Sequence, residues 1–305
     1  MACDGSRVYA AYMEQIINII GPTIFVILLG YLLGRFGKPN VATIIDIAMF
    51  VATPCLVFNS LYSSEVRIGE ALDLWGTYAL VTAGTFAVAW VVFRLMRKRG
   101  TGVYLPVVFA NTVNIPFPII YLAFGEAGVA TAVLYYIPNA LLIYSLGVYM
   151  ASGQREVRQG FKAVLRTPLV YAALLALVLN LNNVSVPEVI TNSFGLIGQA
   201  AVPLMLLVLG ISIRKLSLGQ IPVTLTASVL RMGGGFAFAM LAVWLFDMTG
   251  LPRAIGIFES TMPSAVFVSL LATKFDNEAE LVSSVVLMTT LFAIGVIPAL
   301  LYFLT

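Results

Sequence analysis

The chain has 305 residues, of which 60% are hydrophobic and only 10% are charged, and its net charge is +3 at pH 7. Soluble domains carry roughly 25% charged residues, so this composition predicts an integral membrane protein. The net charge is too small to suggest a nucleic-acid partner. Histidine is absent and there are only two cysteines, Cys3 and Cys55, so we expect no metal centre, no cofactor, no catalytic histidine and no disulfide framework.

Ten apolar stretches follow one another along the chain. A helix that crosses a membrane needs about 20 mostly apolar residues, and the sixth stretch is shorter than this. The stretches are 15–36, 41–62, 72–96, 103–123, 128–151, 167–181, 192–213, 220–246, 254–273 and 281–304. Residues 1–11 contain no apolar core, which argues against a cleavable signal peptide. The predicted fold class is an all-α polytopic membrane protein with ten transmembrane helices and short loops.

Basic residues in the loops predict the orientation, because lysine and arginine are retained on the cytoplasmic side. With ten spans, one side receives Arg35, Lys38, Arg94, Arg97, Lys98, Arg99, Arg155, Arg158, Lys162, Arg166, Arg214, Lys215 and Lys274. The other side receives only Arg7, Arg67 and Arg253, while Arg231 falls inside a span. The sequence therefore predicts a multi-pass protein of the cell membrane with both termini outside.

Prolines are predicted to break helices at corresponding places in the two halves of the chain, since proline removes a donor and clashes with the preceding turn. Pro54 in the second span corresponds to Pro203 in the seventh, and Pro116 and Pro118 in the fourth correspond to Pro263 in the ninth. Each half has an odd number of helices, so the second half enters the membrane inverted. Inverted repeats whose broken helices cross at a central binding site are typical of secondary transporters. Ordinary proline kinks are the alternative.

Polar residues accompany the breaks of the fourth and ninth spans. They are Asn111, Thr112, Asn114, Ser260, Thr261 and Ser264. Amide and hydroxyl groups can donate hydrogen bonds to a carboxylate, so these residues are predicted to bind substrate. The alternatives are that the amides cap the broken helix and that the hydroxyls bond to the preceding turn of their own helix.

Two ionisable residues lie within predicted spans, Glu259 in the ninth and Arg231 in the eighth. Such residues are functional candidates by default, because a charge inside a membrane is costly. Glu259 is a candidate for coupling transport to a proton; the alternatives place it near the outer face beside Arg253 or in a charge pair with Arg231. For Arg231 the sequence favours a structural salt link or snorkelling toward the interface, with attraction of an anion as the alternative.

Five stretches in chain order resemble the auxin efflux carrier family, in particular its bacterial members and, more distantly, the plant PIN transporters. They are VATPCLVFNSL (51–61), ANTVNIPFPIIYLAFGEAG (110–128), RTPLVYAALLALVLNLNNVSVPEVI (166–190), AAVPLMLLVLGISI (200–213) and MPSAVFVSLLATKFDNEAELVSSVVLMTT (262–290). Within the fourth helix, Asn111, Thr112 and Pro118 match the family pattern. Pro116 takes the place of a glycine there, and Asn114 that of an apolar residue.

The resemblance implies a scaffold part, 14–63 with 166–215, and a mobile transport part, 72–152 with 220–304. It implies a secondary transporter, not an enzyme, that exports or exchanges a small organic anion, auxin-like or a dicarboxylate, by an elevator movement. A homodimer in the lipid bilayer, with a proton or sodium as candidate coupling ion, is expected. The alternative function is a sensory or scaffold protein that keeps the carrier fold without transport.

Overall fold

The computed structural model describes residues 21–22, 25–37, 39–64, 68–98, 100–152, 168–212 and 220–304. Throughout these ranges the chain is helical and contains no extended strand; a single antiparallel bridge joins Ala110 to Ser264. Several predictions fall outside the described residues: the start of the first span (15–20), the basic loops 153–167 and 213–219, and the part boundaries at 14, 166 and 215.

Twelve helices are described, several of which are continued through π turns. They are α1 (Phe25–Phe36), α2 (Val41–Ile47, π turn Ala48–Ala52, Thr53–Ser63), α3 (Ile68–Leu95), α4 (Tyr104–Val108), α5 (Pro116–Leu142, π turn Ile143–Gly147, Val148–Ser152), α6 (Pro168–Leu181), α7 (Glu188–Gly198), α8 (Ala201–Ser212), α9 (Ile221–Val229, π turn Leu230–Gly234, Gly235–Leu245), α10 (Gly250–Thr261), α11 (Val266–Lys274) and α12 (Ala279–Leu304).

Six helical stretches in the described part of the chain are long and apolar enough to cross a membrane. They are Thr43–Ser63, Ile68–Leu95, Pro116–Ser152, Glu188–Val208, Ile221–Leu245 and Ala279–Leu304. The helices α1 and α6 are apolar but shorter. These helices support the prediction of an all-helical, multi-pass membrane protein.

The predicted fourth and ninth spans are each divided into half-helices. In the fourth, α4 ends at Val108 and α5 begins at Pro116, a first helical position where proline's missing donor is not needed. In the ninth, α10 ends at Thr261 and α11 begins at Val266, with Pro263 in the gap. We call 109–115 the first break and 262–265 the second break.

A glycine also interrupts α5. Gly125 has a φ of 65° and a ψ of −159°, a conformation open to glycine but strained for other residues. The helix is therefore divided into a short segment, 116–124, which follows the first break, and a longer segment that starts at 126.

The two other prolines behave differently from the predicted helix breaks. At Pro54, α2 is not interrupted, because the preceding π turn accommodates the missing donor and Thr53 Oγ1 bonds to the carbonyl of Ala48 at 2.7 Å. Pro203 lies in the first turn of α8, just after a turn at Gln199 and Ala200 that separates α8 from α7. Proline in the first helical turn costs little.

The helices bury both breaks inside the molecule. The helix α10 packs on α5 and on α9, α3 packs on α4 and α9, and α2 packs on α5, α6 and α7. At the breaks, Asn111, Thr112, Thr261 and Ser264 are all buried. Polar groups are thereby enclosed at the centre of an otherwise apolar core.

Candidate functional site

The two breaks are hydrogen-bonded to each other through their backbones. The amide of Asn111 donates to the carbonyl of Pro263 at 2.8 Å, and the amide of Ala265 donates to the carbonyl of Phe109 at 2.9 Å. These bonds flank the bridge between Ala110 and Ser264. They satisfy backbone groups that would otherwise be unpaired away from water, and they bring the polar residues of the two halves of the chain together.

Ser264 ties the second break to two further helices. Its hydroxyl donates to the carbonyl of Pro106 in α4 at 2.6 Å, and its backbone amide donates to the Thr289 hydroxyl of α12 at 3.1 Å. Sequence reasoning did not single out Thr289, although a hydroxyl within an apolar span was visible. Because its hydroxyl proton is used within the protein, Ser264 holds the site together in this structure.

Arg231 connects the carbonyl ends of the two half-helices that precede the breaks. Its Nη1 donates to the carbonyls of Val107 at 3.1 Å and Val108 at 3.0 Å, and its Nη2 donates to the carbonyl of Ser260 at 2.5 Å. The last carbonyls of a helix lack intrahelical partners and carry partial negative charge. One buried guanidinium, 1% exposed, therefore stabilises both α4 and α10 instead of snorkelling toward the membrane interface.

A π turn and a glycine place Arg231 against α10. Arg231 lies in the π turn Leu230–Gly234, an irregularity that is frequent at functional sites. A β-carbon at Gly235 would overlap the carbonyl oxygen of Ser260 and lie 2.7 Å from Arg231 Nη2. Gly233, two residues earlier, has more room, since the nearest neighbour of a β-carbon there would be a Val229 methyl at 3.9 Å. Gly235 is thus the glycine that the close approach requires.

Asn111 presents a donor without a partner at the first break. The side chain is 4% exposed, and its Oδ1 accepts from the backbone amide of Asn114 at 3.0 Å, the capping role expected as the alternative. Its Nδ2 has no hydrogen-bond partner within the part of the chain that the structure describes. An unsatisfied buried donor costs about 1–3 kcal/mol, so the Asn111 amide is well placed to donate to a ligand.

Thr112 belongs to a buried network that reaches α3 and α5. The amide Nδ2 of Asn139 donates to Thr112 Oγ1 at 2.7 Å, and the hydroxyl of Tyr78 donates to Asn139 Oδ1 at 3.1 Å. The sequence did not predict these contacts of Asn139 and Tyr78. This network fixes the first break against the helices beside it.

The other residues predicted to bind substrate are Ser260, Thr261 and Asn114, and the two hydroxyls bond within the protein. Ser260 Oγ and the hydroxyl of Tyr135 share a hydrogen bond at 2.8 Å, and Thr261 Oγ1 donates to the carbonyl of Ile257 in its own helix at 2.7 Å. Asn114 is half-buried at the turn before α5. Among the six predicted substrate-binding residues, the buried side-chain atom left without a partner is Asn111 Nδ2.

Glu259 is fully buried and has no hydrogen-bond partner for either carboxylate oxygen among the described residues. It is therefore not hydrogen-bonded to Arg231, and Arg253 stacks over Phe303 at 5.7 Å instead of accompanying it. A buried carboxyl without a hydrogen bond is costly, so Glu259 remains a candidate functional group. The described part of the chain contains no group of three metal-ligating side chains.

A polar cavity of about 490 Å³ lies beside the short helical segment that follows the first break. Side chains of α2 and α7 line it together with Tyr121 and Glu126, which flank the break in α5. Three of the lining residues are amides, Asn59, Asn192 and Gln199. The volume is in the range of small-molecule sites, and the cavity lies between helices assigned by sequence to the scaffold and transport parts.

Known proteins match this chain over almost its full length. A family model described as "Membrane transport protein" matches residues 15–163 and 158–301. An uncharacterized transporter of Methanothermobacter thermautotrophicus is 27% identical over 303 residues, which cover 95% of this chain and 98% of that protein. An uncharacterized transporter of Methanocaldococcus jannaschii is 26% identical over 298 residues, covering 92% of this chain and 96% of that protein.

Proposed function

Because the chain belongs to the membrane transport protein family, which confirms the predicted resemblance to the auxin efflux carriers, we propose that it is a secondary transporter of a small organic anion. The anion is an auxin-like acid or a dicarboxylate. The observation that carries this proposal is the pair of hydrogen-bonded breaks, together with the buried Asn111 side-chain amide of the first break, which finds no partner among the described residues.

The electrostatics of the breaks support an anion. The negative ends of α4 and α10 are already compensated by Arg231. The positive N-terminal ends of α5 and α11 begin at the two breaks, where they favour negative charge. In the proposed complex a carboxylate accepts a hydrogen bond from Asn111 Nδ2 near these helix ends.

The proposed mechanism is an elevator movement within a fold of ten helices in two inverted repeats. The scaffold part, 14–63 with 166–215, stays in place while the transport part, 72–152 with 220–304, carries the site across. Packing of α2 with α6 and α7, and of α3 with α9, is consistent with this division. We also propose that two copies pair through their scaffold parts, that both termini lie outside, and that export or exchange is the mode of transport.

The proposed coupling group is Glu259. It lies next to Ser260 at the end of α10, is enclosed by protein, and has no partner among the described side chains. A carboxyl in that position can take up and release a proton as the site changes its access, and sodium is the alternative ion. Its position next to the second break would link ion binding directly to the substrate site.

The decisive experiment is flux into proteoliposomes of labelled indole-acetate, malate, malonate and small monocarboxylates, with thermal stability measured in parallel. We expect one acid to be transported saturably and, at about 100 times its Kd, to stabilise the protein by about 2.7 kcal/mol. Both effects should disappear in Asn111→Ala and persist in Asn182→Ala, which alters an exposed amide of the outer loop. A folded protein that neither binds nor moves any acid, at any pH or sodium concentration, would instead indicate a sensory or scaffold role.

A further inference from the structure

We propose that a groove between α3 and α5 binds an anionic phospholipid, with an acyl chain in the groove and the headgroup at the basic end of α3. The groove has a volume of about 960 Å³; its lining includes Val108, directly before the first break, but no residue of the two breaks themselves. Nothing in the transport proposal requires it, so the two proposals can fail independently.

The walls of the groove are two apolar stripes. On α3 the stripe is Ala79, Ala83, Phe86 and Trp90, whose spacing of three and four residues places them on one helical face. The facing stripe, on α5 and its continuation, includes Leu142, Leu146 and Tyr149. Two alanines opposite larger residues leave the space between the helices. Phe86 is 41% exposed and Trp90 47% exposed, so this surface lies open along the molecule.

The rim of the groove is basic and aromatic. Arg94 and Arg97 are exposed at the end of α3, and Lys98 lines the groove itself. Glu278 pairs with Lys98 at 2.5 Å, so the described residues of the rim include three cations and one carboxylate. Arg94 also stacks over the Trp90 ring at 5.1 Å. Tryptophan and basic residues together are typical of the depth at which a helix meets lipid headgroups.

This combination fits an amphiphile better than a small solute. An acyl chain would cover the apolar walls, while a phosphate would accept from the rim arginines, whose planar forks match phosphate geometry. A small organic acid would leave most of the apolar wall uncovered. Basic residues near the membrane surface attract anionic lipid by about fivefold in affinity for each residue.

Trp90 itself provides the probe. Replacing Trp75 and Trp244 by phenylalanine leaves Trp90 as the remaining tryptophan of the chain. Its fluorescence is then measured in phosphatidylcholine nanodiscs that contain either brominated phosphatidylglycerol or brominated phosphatidylcholine. We expect phosphatidylglycerol to quench Trp90 at a several-fold lower mole fraction.

Two variants and their controls test the parts of the site. Arg94→Gln should lower the ratio of phosphatidylglycerol to phosphatidylcholine quenching about fivefold, whereas Arg253→Gln, which removes a similar stack on Phe303, should leave it unchanged. Ala83→Phe should fill the groove and reduce quenching by both lipids. Ala237→Phe, at an exposed position of α9, should not.

Equal quenching by the two lipids would overturn the proposal, because it would show only non-selective lipid around the helix. Quenching that Ala83→Phe leaves unchanged would do the same. If an acid transported in the flux experiment displaces the brominated lipid, the groove belongs to the solute pathway and the lipid assignment is wrong.

Discussion

The guanidinium of Arg231 lies 2.5 Å from the carbonyl oxygen of Ser260, so that a side chain of α9 bonds to the end of α10. The same group bonds to the end of α4 through Val107 and Val108. Both half-helices before the breaks therefore share one positive charge, and a change at this position should affect both.

Arg231→Met should lower the free energy of unfolding by about 3 kcal/mol or more. A hydrogen bond to a charged group contributes about 1.5–3 kcal/mol, and the substitution leaves three buried carbonyls without this donor. Denaturant unfolding in detergent measures the change. Arg253→Met is the control and should change stability by no more than about 1 kcal/mol. Equal effects of the two substitutions would contradict the connecting role of Arg231.

Gly235→Ala and Gly233→Ala should have opposite effects on thermal stability. A methyl group at Gly235 would overlap the Ser260 carbonyl and crowd Arg231, whereas one at Gly233 would meet only a Val229 methyl at 3.9 Å. Alanine is favoured over glycine in a helix by about 1 kcal/mol, so Gly233→Ala should raise the melting temperature slightly. A Gly235→Ala protein as stable as the parent would show that the close approach is unimportant.

Asn111→Ala should weaken binding of the transported acid by about tenfold or more. The lost donor corresponds to a hydrogen bond to a charged group, about 1.5–3 kcal/mol. Loss of the hydrogen bond from the Asn114 amide to Asn111 Oδ1 should lower the free energy of unfolding by only about 1 kcal/mol. Equilibrium binding separates the two effects. Asn111→Asp, which replaces the donor by a carboxylate, should weaken binding further, and unchanged binding in both variants would exclude this residue from the site.

Glu259→Gln should abolish accumulation driven by a pH gradient while leaving exchange of the acid across the membrane. The amide keeps the shape of the side chain but cannot carry the coupling proton. Because the carboxyl has no hydrogen bond to lose among the described residues, the free energy of unfolding should not fall. The matched control is Glu280→Gln at the exposed start of α12. If the pH gradient still drives accumulation in Glu259→Gln, the coupling group lies elsewhere; dependence on a sodium gradient would favour sodium.

The location of both breaks could be predicted because proline and polar residues are local signals, and they follow the same order in the two halves. The partners of Arg231 could not, since the direction of a carbonyl at the end of a half-helix depends on how α4, α9 and α10 pack. Pro54 was predicted to break α2, but the helix stays continuous through a π turn. The sequence does not predict this turn, because it depends on local relaxation of the backbone. Tyr78 and Tyr135 were missed because tyrosine in an apolar stretch is common.

The bonds from Asn111 to Pro263 and from Phe109 to Ala265 also bear on how the protein is made. The first break emerges from the ribosome long before its backbone partners, which belong to the other end of the chain. Until the second half is inserted, these peptide groups of the first half must form hydrogen bonds with water or with another protein in the membrane. The two breaks can therefore be joined only after the second half of the chain has entered the membrane, and truncated chains that end before the second break should be degraded faster than the full chain.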